Sequence, residues 1–179
     1  MSLVAPTPLG FERSPVAGAS VDDLDLPALE AYVRRRVPGL GPEQAAHEKA
    51  AVRLGLIGAA AGQPTPTVVG LMAFGTLPQV SRPEWGVSVA RVRGATLAEP
   101  VAARLDAEGN LTELVRQVLE FVRANTRAAP NLLSPTDLAP EYPEEAVREA
   151  LVNALIHRDY RLSGRFLLRI FTDRLVIRS

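Results

Sequence analysis

Fifteen prolines and 13 glycines break the 179 residues of this chain often, so most of its regular elements must be short. Proline removes a backbone donor and fixes φ, and glycine opens positive φ, so each ends or bends an element. The core must come from the residues between them. With only 5% aromatic residues inside a 47% hydrophobic composition, that means Leu, Val, Ile and Ala. Short elements in a mixed α+β fold are therefore expected. The length suffices for one well-buried domain, or one and a part.

Formal charge sums to zero at a pI near 6.8, so no overall field would hold the chain to a phosphate backbone or an anionic membrane, and any such contact must be local. With no cysteine and only two histidines, His47 and His157, a disulfide framework and a thiolate or histidine-rich zinc site are excluded. A reducing, cytoplasmic setting is expected. No run approaches the ~18 to 20 apolar residues of a membrane span, and Met1 to Gly10 lacks the basic start and apolar run of a signal peptide. Lys49 is the sole lysine among the cations.

Residues 1–20 are rich in Pro, Gly, Ala and Ser, with little periodicity, and read as a tail or linker; 21–179 read as a single α+β region. Ser20 and Asp22-Asp23 open a helix that Leu26, Leu29, Tyr32 and Val33 continue and Pro38-Gly39 stops. Pro42 starts a second, which ends between Gly55 and Gly58; its His47 reads as part of a solvated face. The apolar run Thr67 to Phe74 predicts a buried strand, and Trp85 to Arg93 an alternating one. Leu111, Leu114, Val115, Val118, Leu119 and Val122 recur at helical spacing, the clearest amphipathic helix of the chain. A proline-rich connector, Pro130 to Pro140, precedes a helix from Pro143 to about Tyr160, and Phe166 to Ile177 predicts a strand pair turning at Thr172-Asp173. That pattern runs to Ser179, as if continued in a longer parent.

One constellation carries chemistry. On the helix beginning at Pro143, Val147, Ala150, Leu151, Ala154 and Leu155 predict the core stripe, while Glu149, Asn153 and His157 stand at i, i+4 and i+8. Residues four apart drift only ~40° around a helix, so a carboxylate, an amide and an imidazole share one face. Spacing alone leaves two readings open: the wet side of an amphipathic helix, or a site.

Glu149-Ala-Leu-Val-Asn153-Ala-Leu-Ile-His157 resembles the N-box of the GHKL ATPases, in which a helix reads E-x-x-x-N-A. More widely, Tyr142 to Tyr160 with Leu168 to Ser179 is similar to the signature of RecG-related transcriptional regulators, bacterial proteins with a Schlafen-type AlbA_2 module, a middle ATP-binding-like region and a C-terminal winged helix. Phe11 to Asp25, Pro66 to Gly75 and Gly86 to Gly94 resemble that family too, and Val152 to Tyr160 (VNALIHRDY) is the most specific part. The resemblance implies a mixed sheet with helices on one face, an incomplete GHKL (Bergerat)-like fold whose glycine box and lid are not in this chain. It implies ATP and Mg²⁺ as cofactors: Asn153 as the Mg²⁺ contact, Glu149 as the base or water orienter, and His157 with Arg158 facing phosphate. It also implies the parent's other domains as partners, with room for a homodimer, and DNA contact only through those domains.

Other readings of these residues are weaker. His157-Arg158-Asp159 spells the kinase catalytic-loop tripeptide, but Gly164 stands where that motif needs asparagine. Gly55, Gly58 and Gly62 lack the lysine of a P-loop. The arginines from Arg158 to Arg178 are nearly balanced by acids and have no interleaved aromatics for base stacking. A non-enzymatic scaffold that positions DNA-binding modules is the second reading, with Asn153 a satisfied amide and Arg158 and Asp159 an ion pair or helix-end contacts.

Overall fold

The computed structural model describes residues 10–41, 43–131 and 134–178. Backbone contacts divide the chain into two compact units, the first ending at Pro83 and the second beginning at Glu84, where a single region over 21–179 was expected.

In the first unit, Ser20 caps a short 3₁₀ turn over Val21–Asp23, and the expected helix starts later, at α1 (Leu26–Arg36). Asp25 caps α1 by accepting the Ala28 N–H at 3.0 Å, and Leu29 and Val33 are its buried stripe. Helix α2 (Gln44–Arg53) turns Ala50, Ala51 and, against expectation, His47 inward. His47 is 4% exposed, and its Nε2 accepts a long hydrogen bond from Arg34 Nε at 3.4 Å. The first-turn role expected of Pro42 lies outside the described residues.

Strands β1 (Ile57–Ala60) and β2 (Gln63–Pro66) form an antiparallel hairpin that the sequence did not announce. Its two-residue turn places Ala61 at φ 49 and Gly62 at φ 77, the left-handed pair that matches strand twist. The run expected as a strand is instead helix α3 (Val68–Phe74). Thr67 decides this. Its side chain accepts the Gly70 N–H at 3.1 Å as N-cap, and its hydroxyl donates to the Gly55 carbonyl at 2.7 Å. Val68, Leu71 and Met72 are then buried at i, i+3 and i+4. Residues 10–20 are also not a free tail. Val16 is 2% exposed, its N–H donates to the Pro66 carbonyl at 2.9 Å, and Pro15 bridges Thr67.

The second unit is built on a four-stranded sheet in the order β4-β3-β7-β8, from β3 (Val87–Val92), β4 (Val101–Ala107), β7 (Phe166–Ile170) and β8 (Leu175–Arg178). β3 pairs antiparallel with β4 and parallel with β7, and β7 pairs antiparallel with β8, so the sheet is mixed. Val87, Val89, Phe166, Leu168 and Ile170 point to the buried face, while Leu167 and Arg169 alternate outward. Helix α4 (Leu111–Asn125), capped by Asn110, buries the expected stripe from Leu114 to Val122 and packs on β3 and β4. Helix α5 (Glu144–Ile156) packs on α4 and β8. The connector expected over 130–140 is a strand pair, β5 (Ala128–Asn131) with β6 (Ser134–Pro140). The fold is thus α+β with a mixed sheet and packed helices. No helix among the described residues is long and apolar enough to cross a membrane.

Candidate functional site

Helix α5 starts because Pro143, at φ −56, is preset for it and the acids Glu144 and Glu145 sit at the positive end of its dipole. Glu144 also accepts from Arg148 one turn on and from Arg123 of α4, which holds its carboxyl below the usual carboxylate range. Val147, Leu151 and Leu155 are buried; Ala150, expected among them, is exposed and Ala154 half-buried, so the apolar stripe is narrower than predicted.

Glu149 and Asn153 lie on the exposed side of α5. His157, also exposed, is the C-cap residue at φ −93 and ψ 9, its N–H donating to the Asn153 carbonyl at 3.0 Å. The helix therefore ends short of Tyr160. None of the three side chains has a hydrogen bond or ion pair among the described residues. Beside the stripe runs an apolar concavity of about 250 Å³, walled by Leu111 and Val115 of α4 and by Val152 and Ile156 of α5.

The structure separates Arg158 from this stripe. With helical geometry ended, Arg158 turns inward to 5% exposure, and its Nη2 donates to the Glu84 carbonyl at 2.9 Å and to the Gly164 carbonyl. Its guanidinium stands 5.5 Å from the Tyr160 ring centre, and burial pulls its pKa below the usual arginine value. Nη1 is buried with no partner among the described residues. The Tyr160 hydroxyl donates to the Leu155 carbonyl at 2.9 Å, and burial pushes its pKa up to about 12. Trp85 donates from Nε1 to the Tyr160 carbonyl at 3.1 Å and meets its ring edge-on at 5.3 Å. Asp159 pairs instead with Arg161, whose side-chain hydrogen bonds hold its carboxyl at about 2. Arg158 thus ties the Glu84 and Gly164 backbone together, and of the two residues expected to face phosphate His157 alone is exposed.

Chemically, the exposed face offers one amide oxygen suited to a hard cation that keeps most of its own waters, and one carboxylate a turn away. No cluster of three or more His, Asp or Glu able to hold a metal by themselves occurs among the described residues, so oxygens from a ligand would have to complete such a shell. Sequence reading missed Trp85 and Tyr160 as parts of the site's frame. The available signals were the aromatic residue that closes the His157-Arg158-Asp159-Tyr160 run and the chain's sole tryptophan, which the structure puts in a 3₁₀ turn just before β3.

No protein-family model matches this chain, and no curated protein does. Among solved structures it is similar to the crystal structure of the DIP2311 protein from Corynebacterium diphtheriae, at 22% identity and a TM-score of 0.57. The likeness covers 94% of this chain and 33% of that one, so the chain spans about a third of that protein's length. At this identity the likeness speaks for the fold alone.

Proposed function

We propose that this chain is the central part of a RecG-related transcriptional regulator, and that α5 supplies the N-box half of a GHKL-like nucleotide site. The observation that supports this is the placement of Glu149, Asn153 and His157. They share the exposed face of a helix whose other face is buried, and their polar atoms are not used to hold the fold. A solvated amide that stabilises nothing locally is open to a ligand. In this reading Asn153 would hold Mg²⁺ through its amide oxygen. Bound there, the ion would neutralise phosphate charge. Glu149, one turn from Asn153, orients or deprotonates a water, and His157 meets a phosphate oxygen. Arg158 acts one step back, holding the backbone after His157.

A scaffold role is the second reading, and the Arg158, Trp85 and Tyr160 cluster favours it, because that part of the motif is occupied with structure. One experiment separates the two. Thermal melting of this chain and of a longer parent is followed against ATP with Mg²⁺, since a ligand that binds only the folded state raises the midpoint. A rise in the longer protein that needs Mg²⁺ and disappears in Asn153→Ala, with the unliganded midpoint unchanged, supports the nucleotide site. No rise in either at millimolar ATP leaves the scaffold.

A further inference from the structure

The first unit contains a larger concavity that the nucleotide reading does not use, a trough of about 900 Å³ beside α2. One wall is the helix face formed by Ala46, Lys49, Ala50 and Arg53, at i, i+3, i+4 and i+7. The two alanines leave the space: Ala46 is half-buried and Ala50 buried, and neither side chain extends past Cβ. Val37, Leu40, Leu54 and Ile57 make the facing walls apolar. Water in such a trough gains few hydrogen bonds and is readily displaced by an apolar group.

The rim is charged and unbalanced. Lys49 and Arg53 are both exposed, lie one turn apart, and have no hydrogen bond or ion pair among the described residues. Glu48, the acid of the rim, sits on a neighbouring face of the helix and accepts from Gln44 at 3.5 Å. The stems of Lys49 and Arg53 extend the apolar wall while their heads stay in water. A volume near 900 Å³ lies within the ~300 to 1,000 Å³ range of small-molecule sites, and a half-open trough of this kind suits a slender ligand lying along it.

We propose that this trough binds an amphiphile with an anionic head, of the medium-chain carboxylate class. The hydrocarbon chain lies between the Ala46 and Ala50 floor and the Leu40 and Ile57 wall, and the carboxylate sits between Lys49 and Arg53.

The test uses the whole chain and three probes of equal length: decanoate, decanol and decylamine. Calorimetry gives their affinities, backbone amide shifts locate them, and protection of Lys49 from acetylation, read by mass spectrometry, reports the head group at the chain's only lysine side chain. Decanoate should bind about tenfold tighter than decylamine, as two exposed charge contacts allow, and should perturb amides of Ala46 to Leu54. Lys49→Glu with Arg53→Glu should reverse that order, which general damage to the fold would not do. Lys49→Gln with Arg53→Gln, a milder pair, should erase it. Ala46→Phe should place a ring on the trough floor and weaken binding of all three. Equal affinities, shifts elsewhere in the chain, or no binding would overturn the proposal. So would concentration-dependent broadening of the same amides without any probe, which would make a second copy the occupant.

Discussion

The two units reach a buried core by different routes. In the second, side chains do the packing: α4 presents Leu114, Val115, Val118, Leu119 and Val122 to a sheet that answers with Val87, Val89, Phe166 and Leu168. In the first, side chains such as Val33, Val68, Leu71 and Met72 also pack, but at one junction backbone meets backbone. Gly70 of α3 sits so close to the Leu56 carbonyl that a Cβ placed on it would lie well under 3.0 Å from that oxygen. Thr67 binds the junction by accepting from Gly70 and donating to Gly55. Side-chain packing spreads its energy over many weak contacts and tolerates partial loss. Close backbone approach depends on single positions where nothing but hydrogen fits.

The sharpest way to break that contrast is Gly70→Ala. The added methyl meets a carbonyl oxygen, not the flexible end of a side chain, so α3 must move away from residue 56 and take the Thr67 hydrogen bonds with it. A loss of about 4 kcal/mol or more is expected, at the exceptional end for a single substitution. Denaturant melting gives the total, and amide exchange should rise first in α3 and the β1–β2 hairpin. A loss under ~1 kcal/mol would mean that the helix and residue 56 separate easily and that the contrast is false. Leu114→Ala in the second unit should lose less, about 3 kcal/mol, because it leaves a cavity that α4 can partly close. If Leu114→Ala proves the more damaging of the two, side-chain packing is the less forgiving route and the comparison inverts.

The same contrast explains which parts of the molecule were legible. Helix α4, the strand at Val87–Val92 and β7 express themselves as periodic burial of side chains, which a pattern of apolar residues records directly, while the start of α5 shows in Pro143 and the two acids after it. Thr67 to Phe74 does not. Its residues are apolar on nearly every side, so period 2 and period 3.6 fit equally, and the cap and the glycine contact that settle it involve residues 55 and 56, invisible to a local window. The β1–β2 turn was missed because Ala61, not asparagine or aspartate, takes the first positive φ. β4 was missed although Ala103, Leu105 and Ala107 alternate inward against exposed Arg104 and Asp106, because two of its three inward residues are alanines, which carry little strand preference, and Ala107 alone is fully buried. His47 looked solvated among Glu43, Glu48 and Lys49, yet its own direction on α2 faces α1. At the candidate site, Glu149 and Asn153 followed from helical spacing. The inward turn of Arg158 did not, since periodicity stops at Ile156, where the helix ends.

The segment after Ile156 belongs with the first unit in this respect, because it is fixed by contacts to backbone carbonyls, and Asp159 offers a finer probe of it. Its carboxyl, ordinarily near 3.8, is held at about 2 mainly by the side-chain hydrogen bonds of Arg161, with the Arg161 N–H adding to them. A carboxyl whose folded pKa lies below its unfolded value stabilises the fold above about pH 4, where it is ionised in both states, and that contribution fades as pH falls toward 2. Because Arg161 is exposed and only the Asp159 side chain, 11% exposed, is largely covered, the pair's effect on overall stability should be smaller than that of Gly70→Ala or Leu114→Ala and should shrink further with added salt. The direct reading is the carboxyl carbon shift of Asp159 in an acid titration, with a midpoint near 2 in the native chain. Arg161→Gln should move that midpoint up toward the ordinary aspartate range while leaving the Arg158 contacts to Glu84 and Gly164 intact, visible as unchanged exchange at nearby amides. A midpoint that stays near 2 in the variant would assign the hold on Asp159 to the residue 161 N–H alone, and would place this loop wholly on the backbone side of the contrast.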